Sequence, residues 1–177
     1  MRRRRRAFDW IDIAITIASA IVILIIFLSA STKSDAKGAD EDTWISPEIQ
    51  SYCEDIGQEY SICPELLEAM VEAESSGQKS ATSSDGSCKG LMQVNEACHK
   101  DRMKKLSVDD IYDEEQNIRV AADYLLELFE EYEDPGLVLM KYNGTSNAEE
   151  RAERGDYTYY ARKILKRSYE LERMHGK

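Results

Sequence analysis

Glu74 stands where a helix should not carry a carboxylate. Residues 64–74 (PELLEAMVEAE) have the spacing of an amphipathic helix. Leu66, Leu67, Met70 and Val71 form its apolar stripe, and Glu65, Glu68 and Glu72 are expected on the opposite, solvated face. Glu74 follows Leu67 by seven residues, so it projects within about 20° of the same direction. A carboxylate on a core-facing stripe must be paired, wetted by a cleft, or protonated. The pattern then breaks at Ser75-Ser76-Gly77. That leaves Glu74 in a last turn, where the helix dipole also disfavours negative charge. Burial and dipole both raise a carboxyl pKa. This is the condition for a general acid that still holds its proton near neutral pH. On periodicity alone, an ordinary last-turn Glu turned out to water is an equal reading.

The elements that must position Glu74 all read as helices. Ser46-Pro47-Glu48 is a helix start, with Ser as cap and Pro in the first turn. That helix carries Ile49, Cys53 and Ile56 inward and is expected to end near Gly57. After the Glu74 helix comes a Gly/Ser-rich stretch, residues 75–90, then the apolar insert Gly90-Leu91-Met92-Gln93. Ser107 to Asp110 offers a capping box for a short turn. Residues 114–132 form the longest helix, with Ile118, Ala121, Ala122, Leu125, Phe129 and Tyr132 as its buried face. Residues 134–142 form a shorter one that stops at Asn143-Gly144. A last helix over residues 156–173 puts Tyr160, Ile164 and Tyr169 near one side. The expected class is all-α, with at most a minor β-hairpin in the 78–94 loop.

Taken in order, these residues form a recognisable series: Glu74-Ser75, Ser83 and Gly86, Gly90-Leu91-Met92-Gln93, Asn117 before the long helix, and Tyr142-Asn143-Gly144. Over roughly residues 60–170 the chain resembles the catalytic domain of the soluble lytic transglycosylases, relatives of goose-type lysozyme. Asp156 and Tyr160 fall where that family often has an acidic residue and a Tyr opening the last helix. The departures are one extra residue between Gly86 and Gly90, Cys88-Lys89 inside that loop, and Gly144 directly after Asn143. The resemblance implies a lysozyme-like fold acting on peptidoglycan glycan strands, without a cofactor or metal. The bond cut would be the β-1,4 link between N-acetylmuramic acid and N-acetylglucosamine. Glu74 would be acid and then base, the N-acetyl group assisting, with 1,6-anhydro-muramic acid as product.

For the remaining site residues the expectations are finer. Gln93 is expected to bind an N-acetyl or hydroxyl group, and Met92 to touch a sugar face or pack in the core. Tyr142 should bring its hydroxyl near Glu74. Asn143 reads as substrate ligand or helix cap, Ser83 as a partner of Glu74 or of its own loop, and His99 as a surface residue. A hydrolase would ordinarily need a second carboxylate, for which Asp85 and Asp156 are the candidates. The rival readings are thus a muramidase on the same fold and a non-catalytic wall-binding module of a secretion or conjugation apparatus.

The rest of the chain bounds where this would happen. Five arginines open it, and 20 residues without charge follow from 13 to 32. As a helix, 20 residues span about 30 Å, the hydrocarbon core of a bilayer. The expected organisation is a cytoplasmic basic segment over 1–12, one transmembrane anchor over 13–32, a flexible linker over 33–43 and the folded domain over 44–174, outside the membrane. A signal peptide cleaved near Ala30 is the alternative. From residue 31 on, 18 Lys and Arg meet 32 Asp and Glu, a balance of −14. Such a domain is a poor candidate for nucleic acid. Four cysteines in a small domain outside the membrane suggest two disulfides. Equal spacing favours Cys53–Cys63 and Cys88–Cys98, with zinc at Cys98-His99 and free thiols as alternatives.

Overall fold

Short polar caps set the helix boundaries. In the computed structural model, which describes residues 44–177, Ser46 Oγ accepts from Ile49 N at 3.2 Å and starts helix α1, Pro47–Tyr60. Helix α2, Pro64–Ser75, opens on Pro64 and ends at Ser76 in the left-handed region, φ 54°. Strands β1, Cys88–Lys89, and β2, Val94–Asn95, form a small antiparallel hairpin pairing Cys88 with Asn95 and Lys89 with Val94. Asn95 then caps helix α3, Glu96–Lys105. Asp113 caps α4, Glu114–Glu131, and Asp134 caps α5, Pro135–Tyr142. Helix α6, Ala148–Glu153, is short, and Thr158 caps α7, Tyr159–Met174. The cytoplasmic segment, the anchor and the linker expected over 1–43 lie outside the described residues. Among the described residues no helix is long and apolar enough to cross a membrane.

Helix α2 is the centre of the fold, packed against α1 on one side and α7 on the other. Every residue from Glu65 to Val71 is buried. This corrects the expected solvated face. Glu65 and Glu68 are enclosed because the end of α7 lies over them. Cys63 Sγ meets Glu65 Oε2 at 3.2 Å, while His175 Nδ1 and Lys177 Nζ each approach Glu65 Oε1 at 2.8 Å. Glu72, the third of the set, is claimed by Arg167 of α7 at 2.7 and 2.9 Å. A one-sided pattern assumes one covered face, and this helix has two.

Other boundaries shift for local reasons. Helix α1 runs three residues past Gly57, which is a packing residue and not a stop: a Cβ there would lie 2.8 Å from the carbonyl oxygen of Ile62. Helix α3 was not legible as a helix, having no buried residue. It is held by the Asn95 cap and by Arg102, which pairs with Asp123 and Glu127 of α4. Ser107 does not start a turn; it closes α3 in the left-handed region, φ 58°. On α4, Ile118, Ala121, Ala122 and Leu125 are buried as expected, whereas Phe129 and Tyr132 are only partly so. Tyr169 is 61 % exposed, off the buried side of α7.

All four cysteines are free thiols, so the expected Cys53–Cys63 and Cys88–Cys98 bridges are not formed. Cys53 points from α1 into the core while Cys63 faces outward toward Glu65 and Glu172, so even spacing along the chain does not bring them face to face. Among the described residues no three His, Cys, Asp or Glu side chains are placed to hold a metal ion.

Candidate active site

Glu74 occupies the last turn of α2, half-buried at the seam with α7. Its Oε1 accepts a hydrogen bond from the hydroxyl of Tyr160, in the first turn of α7. Burial pushes the Glu74 pKa up, and the Tyr160 bond pulls against it. Tyr142, at the end of α5, is the other phenol beside Glu74. Burial and the Glu74 charge hold both phenols above their ordinary pKa, so both remain neutral donors. The Tyr142 hydroxyl does not reach Glu74 itself; it donates to the carbonyl oxygen of Met92 at 2.8 Å. Tyr142 is thus near Glu74, as expected, and the direct phenol partner is Tyr160, which the sequence reading placed only at the opening of the last helix. The available signal was Tyr160's place one turn before Ile164, on the buried side of the last helix.

The Gly90-Leu91-Met92-Gln93 turn is pinned from below by Asn117, a fully buried residue on α4. Asn117 Nδ2 donates to the carbonyls of Ile111 (2.8 Å) and Lys89 (3.0 Å), and its Oδ1 accepts from Met92 N at 2.7 Å. Gly90 has φ 77°, and a Cβ there would collide with the Asn117 amide and lie 2.8 Å from the Ile111 carbonyl. Only glycine fits. Leu91 and Met92 are wholly buried, which gives the Met92 side chain to the core and removes it as a sugar contact. Gln93 sits at φ 47°, a costly conformation for a non-glycine residue. Its Nε2 donates to the Gly90 carbonyl at 3.0 Å.

Beside this turn runs a groove of about 530 Å³, with Gln93, His99, Tyr124, Tyr142, Asn143 and Gly144 on its walls. Glu74 is not on its walls; Tyr142, which lines the groove, is near enough to feel the Glu74 charge. The rings of His99 and Tyr124 are 4.7 Å apart and those of Tyr124 and Tyr142 5.6 Å, and the Arg102 guanidinium lies 5.2 Å from the Tyr124 ring centre. His99 is thus part of an aromatic wall and not a free surface residue. Its burial, with Arg102 nearby, lowers its pKa. Asn143 is exposed on the groove and also ends α5.

The other expected residues stand apart. Ser83 donates to Asp85 Oδ1 at 2.5 Å and accepts from Cys88 N at 2.9 Å, so it braces its own loop and not Glu74. Hydrogen bonds from Ser83 and Ser87 hold the exposed Asp85 at a pKa of about 2. Asp156 is exposed and pairs with Arg151 at 3.1 Å. The protonation of Glu74 is set by burial and Tyr160, with no contribution from either acid.

The family model described as the transglycosylase SLT domain matches residues 51–165. A protein of Enterobacteria phage PRD1 named "Transglycosylase" is 37 % identical over 89 residues, half of this chain and 32 % of that protein. Among solved structures, an inactive mutant of the lytic transglycosylase Slt from Pseudomonas aeruginosa superposes with a TM-score of 0.63 at 15 % identity. That match covers 72 % of this chain and 24 % of the other. The chain thus spans about a third of the curated relative and a quarter of the solved one, and the likeness to the latter is one of fold.

Proposed function

We propose that this chain, which belongs to the transglycosylase SLT domain family, is a peptidoglycan lytic transglycosylase with Glu74 as its single acid and base. The observation that carries the reading is the setting of Glu74. Burial favours its protonated form, and among the described residues the side chain that hydrogen-bonds it is a phenol, Tyr160, and not a second carboxylate. In the first half-reaction Glu74 protonates the glycosidic oxygen as the bond from the muramic acid anomeric carbon breaks. The sugar's own N-acetyl group assists at that carbon. In the second, the Glu74 carboxylate takes the proton of the C6 hydroxyl, whose oxygen closes on the anomeric carbon. No water enters, and the product is a 1,6-anhydro ring.

The two influences on Glu74 suit the two halves. Burial favours the acid form needed first, and the Tyr160 hydroxyl stabilises the carboxylate needed second. In this reading Gln93 and Asn143 meet the sugar in the groove, and Tyr142 shapes the wall between groove and acid. A hydrolytic muramidase would need a second carboxylate to activate water. Asp85, held at about pKa 2 and occupied by Ser83 and Ser87, is a poor base. The uncharged run 13–32 behind five arginines supports an anchor holding the domain on the wall side of the membrane.

Mass spectrometry of digested peptidoglycan tests the reaction. Anhydro ends made by the wild type and absent with Glu74→Gln are expected. Reducing ends would mean a hydrolase, and undiminished lysis by Glu74→Gln would sink the assignment of the acid.

A further inference from the structure

The acidic domain has a basic helix face apart from the groove described above. Helix α7 carries Arg162, Lys163, Lys166, Arg167 and Arg173 against only Glu170 and Glu172. Between α7 and α2 lies a second groove of about 610 Å³, walled by Trp44, Ala73, Ser76, Tyr159, Lys163 and Lys166. A neighbouring depression shares Trp44, Arg167 and Glu170 and continues to Arg173 and Met174. Trp44 is 77 % and Tyr159 75 % exposed, the two most exposed large apolar side chains among the described residues. Large exposed apolar groups gathered on a cationic groove mark a binding site more than a solvated surface.

The charges of this groove are unequally used. Arg167 is committed to Glu72, and Glu170 takes Lys166 at 3.5 Å. Arg162 donates to the Tyr157 carbonyl, and Lys163 has no carboxylate partner among the described residues. Positive charge is left over in a chain of net charge −11, so the occupant is an anion. The groove is concave and continues along the helix, which suits an extended chain better than a flat surface. Its wall residues Ala73 and Tyr159 are the chain neighbours of Glu74 and Tyr160, so the groove is built on the same two helices as the acid and its phenol, without either of them on its walls.

Resting on the function proposed above, we propose that this groove binds the carboxylate-bearing peptide carried by the muramic acid residues of the wall. Its cations take the peptide carboxylates, and Trp44 and Tyr159 cover the peptide's apolar parts.

Calorimetric titration of the full chain in detergent micelles tests this with three ligands: muramyl pentapeptide, the same compound with its carboxylates amidated, and a glycerol-phosphate oligomer. The muramyl pentapeptide is expected to bind, and the amidated form more weakly. The double variant Lys163→Glu, Lys166→Glu should lose about five- to tenfold in affinity, as expected for two reversed surface charges. Trp44→Ala should weaken binding independently of salt. Wild-type affinity in the double variant, or binding of the glycerol-phosphate oligomer in place of the peptide, would overturn the proposal. Turnover separates this from the catalytic reading. On strands stripped of peptide by an amidase, the double variant should match the wild type, while on intact strands its KM rises. If the wild type cuts neither substrate yet the peptide pattern holds, the catalytic reading fails and the groove stands.

Discussion

Glu74 and Tyr160 make one acid–base unit, and their coupling has a measurable sign. Loss of the carboxyl in Glu74→Gln should cost at least about 10²-fold in turnover, the usual span for a general acid, with folding unchanged. Tyr160→Phe is more diagnostic. The phenol lowers the Glu74 pKa by donating to its charged form, so its removal lets burial act alone and the pKa rises. Glu74 then stays protonated to higher pH. The alkaline limb of the rate profile should move to higher pH. The rate should fall as well, because the second half-reaction of the proposed mechanism needs the carboxylate. A profile that keeps its alkaline limb with a lower plateau would mean that Tyr160 only fills space.

At the scale of elements, the Gly90–Gln93 turn and α4 act together through Asn117. Asn117→Ala leaves two buried carbonyls and the Met92 amide without their partner. A loss of about 2–3 kcal/mol in urea unfolding is expected, with weaker substrate binding because Gln93 loses its support. Gly90→Ala should be at least as damaging, since the φ of 77° and the collision with Asn117 act at once. This is also where the sequence was most and least readable. Helices α1, α2, α4, α5 and α7 are legible from apolar periodicity, reinforced by a polar cap in α1, α4, α5 and α7, and the placing of Glu74 on the core-facing stripe follows from seven-residue spacing. Asn117 is legible only as part of a series; a buried Asn has no local pattern, because two of its three partners, Lys89 and Met92, lie at least 25 residues back along the chain. Helix α3 escaped notice because ion pairs and a cap hold it, not an apolar face. The solvated face assigned to Glu65 and Glu68 failed because the helix that covers it, α7, arrives about a hundred residues later.

For the whole molecule, that burial makes stability depend on pH in two opposed ways. Burial pushes the Glu65 carboxyl up, but the contacts from Lys177, His175 and Cys63 outweigh it and hold it at about 2. A carboxyl depressed on folding stabilises above its unfolded pKa, and that contribution is lost as pH falls from about 4.5 toward 2. Glu68, one turn on, is the reverse. Its Oε2 has no hydrogen-bond partner, and burial raises its pKa to about 7. A carboxyl raised on folding binds its proton more tightly in the native state, so stability falls as pH climbs from about 4.5 through 7. The two carboxyls together predict a maximum near pH 4.5 in their joint contribution. Glu68→Gln removes the second slope alone. Its urea midpoint should match the wild type near pH 5 and exceed it at pH 8 by roughly 2–3 kcal/mol of unfolding free energy, the linkage value of that shift. Parallel curves across this range would assign the cost of neutral pH to another group. The same series run on Lys177→Ala should show the opposite loss, a weaker protein at pH 7 that converges with the wild type as Glu65 is protonated near pH 2.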